Sequence, residues 1–121
     1  MHTTTKETGD AAEELAQKYL IKLGYQILDT NWYFHHLELD IVAQDGDQLV
    51  IVEVKSCTGF RYEHPSEAVT NIKINRLIHA AEAYIYIHHL KIETRFDIIT
   101  VIFYKDKFEL EHFKDAFYPT L

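Results

Sequence analysis

The sequence predicts an α/β fold, a mixed β-sheet with flanking helices. Three observations carry the prediction. Two segments have apolar residues at helical spacing. Five have the alternation or β-branched content of strands. The gap Asp45-Gly46-Asp47 is short enough to tie two of those strands into a hairpin. The resulting order is α-β-β-β-α-β-β. It is not doubly wound, because the early strands are joined by turns too short to hold helices.

The first helix is predicted over 10–23, with Ala12, Leu15, Ala16, Tyr19, Leu20 and Leu23 on its apolar side. Asp10-x-x-Glu13 has the form of a capping box, and Thr8 competes as the cap. Gly24 suits the left-handed position just past the helix end. Strands are predicted over 25–33, 37–44 and 48–56, followed by a loop at 59–67 that contains Pro65. Thr70 is the expected N-cap of a second helix reaching about Ile87, with Leu77, Ala80, Ala81, Tyr84 and Ile85 as its stripe. Strands over 95–104 and 108–113 close the chain through the Lys105–Lys107 turn.

A length of 121 residues fits one domain over 1–121, with residues 1–8 expected to be its flexible start. With 47% hydrophobic and 13% aromatic residues the chain can bury a core, which excludes disorder. No apolar run is long enough to span a membrane, and the polar N-terminus has no secretory h-region. With one cysteine, Cys57, no intrachain disulfide can form. The expected location is the cytoplasm, with no membrane partner.

The net charge of −7 runs against a surface that grips nucleic acid through phosphates. The acids are uneven, however. Glu38, Asp40, Asp45, Asp47 and Glu53 fall in one stretch without Lys or Arg. Such a cluster is a solvated turn or a cation site. Alternation puts Glu38 and Asp40 on one face of their strand, and Glu53 and Lys55 on one face of theirs. A two-residue loop at Gly46-Asp47 sets Asp40 opposite Glu53 and Glu38 opposite Lys55, and all four converge. Only an odd change of loop length separates the pairs. Val42, Leu49 and Ile51 share the charged face, and Leu39, Ile41, Val50, Val52 and Val54 take the other. Ionisable groups among such neighbours are costly to bury unless they are paired or hold a metal. Carboxylate and water ligands suit Mg²⁺ or Mn²⁺. Carboxylates holding a cation beside a lysine also suit phosphodiester hydrolysis.

These residues resemble a known pattern. Glu53-Val54-Lys55 after an apolar strand, with Asp40 before it, is similar to the PD-(D/E)xK nuclease motif. The whole chain resembles the bacterial YraN family. Gly9-Asp10-Ala11-Ala12-Glu13 leads to Tyr19-Leu20, then Asn31-Trp32, Leu37-Glu38-Leu39-Asp40-Ile41-Val42-Ala43 and Val50-Ile51-Val52-Glu53-Val54-Lys55. Lys73 and Arg95-Phe96-Asp97 complete the order. Ala12 and Leu37 stand where the family usually has glycine.

The resemblance implies a restriction-endonuclease-like fold related to Holliday junction resolvases, hydrolysing DNA, including branched DNA. It implies Asp40, Glu53 and the Val54 carbonyl as ligands of Mg²⁺ or Mn²⁺, Lys55 at the attacking water, Glu13 reaching the site from the first helix, and Glu38 as an accessory acid. It also implies a homodimer, since junction-cleaving relatives act as pairs. Lys73 and Arg76 are weaker candidates for nucleic-acid contact.

Blander readings stand beside these. Glu53 and Lys55 form an ordinary cross-strand ion pair in one; Glu13 only completes a capping box in another. Lys73 reads equally as an exposed helix-start lysine, and Arg95 with Asp97 as a structural ion pair. The eight histidines offer no metal spacing, because His35-His36 and His88-His89 are adjacent and diverge. The rival function is a non-catalytic module that keeps the nuclease fold and binds nucleic acid or a protein partner. Trp32 and Phe60 are the aromatics nearest the predicted site.

Overall fold

A computed structural model of the protein describes residues 5–119. Helix α1 (Thr5–Lys22) is followed by a meander of β1 (Gln26–Phe34), β2 (Leu37–Asp45) and β3 (Gln48–Thr58). A short helix α2 (Pro65–Ala68) and helix α3 (Asn71–Ile87) cross to β4 (Glu93–Phe103), and β5 (Phe108–Phe117) ends the sheet. The five strands lie in chain order, antiparallel except for β3 against β4. The predicted mixed sheet with flanking helices is present, with α2 added where only a loop is expected. His64 is its N-cap without a side-chain bond, and Pro65 starts it.

Three layers result. On one face α1 packs Ala12, Ala16 and Leu20 against Ile41, Ala43, Val50, Val52, Ile99 and Val101. On the other, α3 packs Leu77, Ala80, Ala81 and Tyr84 against Val42, Leu49, Ile51, Phe96 and Ile98. β3 and β4 are covered on both sides, which explains their nearly unbroken apolar runs. No helix among the described residues is long and apolar enough to cross a membrane.

The caps fix where the helices point. At the end of α1 the Tyr25 N–H bonds the Leu20 carbonyl at 3.0 Å and the Gly24 N–H the Ile21 carbonyl at 3.0 Å. This is a Schellman ending around Gly24 at φ +94°. Thr70 Oγ1 accepts from the Lys73 N–H at 3.2 Å and starts α3 as expected.

Several expectations need correction. Helix α1 is already formed at Thr5, the first described residue, so Asp10, Glu13 and Thr8 lie inside it and no capping box forms there. Of the segment expected to be flexible, residues 1–4 lie outside the described residues and Thr5–Thr8 are helical. The second concerns Leu39, which packs on the α3 side with Val42 and Ile51 rather than opposite them. The cause lies in β1 and β2. Asn31 takes φ +48°, and Asn31 and Asp40 drop out of a register that otherwise runs from Thr30↔Ile41 to Trp32↔Leu39. The alternation slips there, and Trp32 and Leu39 both turn toward α3. The last strand also runs four residues past its predicted end, to Phe117.

Candidate active site

The hairpin loop is the two-residue Gly46-Asp47, with Asp45 facing Gln48 and Gly46 at φ +61°. The loop parity is therefore even. Pairing of β2 with β3 runs from Asp45↔Gln48 to Ile41↔Val52 and stops. Beyond it β2 stays on β1 to Leu37, and β3 stays on β4 to Thr58. The two strands part at Asp40 and Glu53. The Val54 N–H there donates to Asp40 Oδ2 at 2.9 Å, so a side chain takes a backbone amide in the gap.

The gap opens into a cleft of about 390 Å³. Glu38 and Asp40 from β2, Glu53, Val54 and Lys55 from β3, Glu13 from α1 and Lys73 from α3 all border it. The structure thus brings together every residue that the sequence reading put at the catalytic centre. Arg76 lies outside the cleft. It lines an adjoining depression with Lys55, Lys73 and Thr70. Trp32 belongs elsewhere, packed edge-on to Tyr84 at 5.1 Å under α3.

Glu53 is the buried centre of this group, 3% exposed. Burial pushes its carboxyl up, to about 9, and the hydrogen-bonded Asp40 carboxylate adds to the rise; Lys73 and Lys55 oppose it. Two carboxyls in contact do not both ionise cheaply, which is why Asp40 adds to the rise of Glu53. Glu53 Oε2 accepts no hydrogen bond, although Lys73 Nζ stands 3.5 Å away. A lysine in the first turn of a helix runs against the helix dipole. Its place 3.5 Å from Glu53 Oε2, beside the Asp40 and Glu53 carboxyls, offsets that.

Glu13 is the second perturbed acid. Burial and the Asp40 charge raise it to about 7, while a hydrogen bond with Asn31 works the other way. Asn31 is a contributor the sequence reading did not single out, and its left-handed φ is what faces it toward α1. Tyr62 also borders the cleft and was not anticipated. Among the described residues, no three His, Cys, Asp or Glu side chains gather to hold a metal ion by themselves.

Arg95 and Asp97 form a structural network away from the cleft. Asp97, 0% exposed, accepts from Arg95 Nε at 2.9 Å, Arg95 Nη2 at 3.0 Å and the Asp115 N–H at 3.0 Å, and lies 2.7 Å from His112 Nε2. Burial alone raises such a carboxyl, but these partners together hold Asp97 below its ordinary value. Arg95 Nη2 also donates to Tyr25 Oη at 2.7 Å.

Comparison with known proteins supplies the chain's kinship. It is 46% identical to a UPF0102 protein of Bacteroides thetaiotaomicron over 95% of both chains. It is 42% identical to one of Parabacteroides distasonis over 93% of both. A more distant UPF0102 protein, of Clostridium kluyveri, is 38% identical over 97% of this chain and 98% of its own. The family model described as "Uncharacterised protein family UPF0102" matches residues 12–101, a span that holds Glu13, the β2–β3 fork and Lys73. The chain therefore belongs to the UPF0102 family, which the YraN-type motif order already indicated.

Proposed function

We infer that this protein is a metal-dependent nuclease of the PD-(D/E)xK kind, hydrolysing phosphodiester bonds in DNA, branched DNA included. One observation carries the reading: the orphaned, buried Glu53 Oε2 beside Asp40, flanked by Lys55 and Lys73 at the fork of two strands. A buried carboxyl pair of this kind destabilises a fold unless something is gained from it. Asp40, Glu53 and the Val54 carbonyl would hold Mg²⁺ or Mn²⁺. Mg²⁺ takes one or two carboxylates and fills its shell with water, so the lack of a third side chain fits it. When bound, the ion supplies Lewis-acid stabilisation of the phosphate and a more acidic water.

The chain's own residues supply the remainder. Lys55 orients the attacking water or neutralises the phosphate. Glu13, poised near neutrality, exchanges a proton with water at the cleft, and Glu38 adds negative charge at its rim. Lys73 balances Glu53 while no cation is present, and is freed for a phosphate once one binds. Pairing of two copies on a junction is part of the same proposal.

The test is hydrolysis of single-stranded, duplex and four-way-junction DNA with Mg²⁺ or Mn²⁺. Cleavage is expected from the wild type and should fall by at least about a hundredfold in Asp40→Asn and in Lys55→Ala. Cleavage that survives both substitutions refutes the reading. A second reading is a non-catalytic module binding nucleic acid or a protein partner; the net charge of −7, which runs against gripping phosphates, favours its protein-binding form. It predicts the same fold with no hydrolysis and no cation binding.

A further inference from the structure

Beside the carboxylate cleft, the loop after β3 presents an aromatic pair that the proposed chemistry does not use. Phe60 is 53% exposed. Its ring meets Tyr62 edge-on, 5.4 Å between centroids at 76°, and Tyr62 in turn borders the cleft with Lys55 and Glu53. An edge-on contact leaves at least one face of Phe60 uncovered by Tyr62. The loop is pinned on both sides of that ring. Gly59, at φ +76°, turns the chain, and its N–H bonds the Phe103 carbonyl at 2.9 Å. Arg61 is tied to Glu109 and, at 3.3 Å, to Glu111 on β5. A lone exposed phenylalanine needs no explanation. This one is held out by a turn on one side and two ion pairs on the other, so a flat ligand meets a ring already in place.

Cations border the same cleft as Tyr62. Lys55, Lys73 and Arg76 line a depression that shares both lysines with the carboxylate site. Phosphates at the lysines and a base at the aromatic ring is the pairing that single-stranded nucleic acid requires. A duplex fits poorly, because its base faces are already stacked and a ring enters only by unstacking them.

We propose that Phe60, backed by Tyr62, is a stacking platform for an unpaired nucleobase, which makes single-stranded nucleic acid or the unpaired end of a branched one the ligand of this cleft. The proposal rests on the nuclease reading only for the chemistry performed beside it. Binding itself needs no hydrolysis.

The experiment is fluorescence anisotropy of the full chain with a labelled short oligothymidylate, the matching oligouridylate and a blunt duplex, at low salt with Ca²⁺. Phe60→Ala should weaken strand binding about tenfold and change duplex binding by less than about twofold. Phe60→Trp should keep strand affinity, and Phe60→Leu should lose it as alanine does. That contrast separates a stacking face from mere apolar area. Wild-type affinity in Phe60→Ala, equal losses on strand and duplex, or no strand binding by the wild type would each overturn the proposal. Cleavage assays on the same variants keep the two readings apart. Strand binding that depends on Phe60 without any hydrolysis upholds the platform and sinks the nuclease; hydrolysis indifferent to Phe60 does the reverse.

Discussion

The metal-free protein should become less stable as pH rises from 6 to 8, and Glu53 should be the reason. The ordinary value of its carboxyl is 4.5 and its folded value about 9. Between those limits the folded chain holds a proton that the unfolded chain has lost. Stability therefore falls with pH, by about 1.4 kcal/mol per unit for one such group. Two units give a ceiling of about 2.7 kcal/mol, and partial ionisation of the folded carboxyl as pH approaches 9 brings it to between about 2 and 2.7 kcal/mol. For a chain of this size that is roughly 6–10 °C in Tm. The assay is thermal or urea unfolding in EDTA at pH 6, 7 and 8, comparing wild type with Glu53→Gln. The comparison removes the background from the histidines, which also titrate there. The variant should lose most of the slope, keeping the part that Glu13 supplies below about pH 7, and exceed the wild type in stability at pH 8. Parallel wild-type and variant curves would refute the burial argument.

Three further predictions concern the scaffold and are read by urea denaturation. Asp97→Asn should cost about 3–5 kcal/mol, because it removes the charge that balances Arg95 and turns one of the two acceptor oxygens shared by Arg95, His112 and the Asp115 N–H into a donor. The same carboxyl, held below its ordinary 3.8, contributes stability that is present above that value and lost as pH falls through the folded one. Leu77→Ala, at the centre of the α3 face, should cost about 2–5 kcal/mol. Thr70→Ala should cost about 1 kcal/mol by removing the cap from the turn that carries Lys73.

Much of this was legible in the chain because period and turn chemistry agree. Leu77, Ala80, Ala81 and Tyr84 show a helical stripe with a threonine cap before it, and α3 forms there. The two-residue loop at Gly46-Asp47 fixes parity, and with it the convergence of Asp40 with Glu53. Three things were not legible. The start of α1 was misread because Asp10-x-x-Glu13 matches a capping box while also fitting a helix interior. The slip at Asn31 and Asp40 depends on a left-handed residue within a strand, for which asparagine is only a weak signal. The contact of Lys73 with Glu53 joins residues twenty apart in sequence through the packing of α3 on the sheet, which no local pattern encodes. The unfavourable lysine in a first helical turn was the one available hint.

The central claim is that Asp40 and Glu53 form a cation site whose proton is displaced on binding. Calorimetric titration of Mg²⁺ or Mn²⁺ at pH 7, repeated in buffers of different ionisation enthalpy, tests it most directly. One ion should bind per chain with release of about one proton, because Glu53 is protonated beforehand. Binding should be lost in both Asp40→Asn and Glu53→Gln. An absence of binding by the wild type, or binding that both variants retain, contradicts the claim.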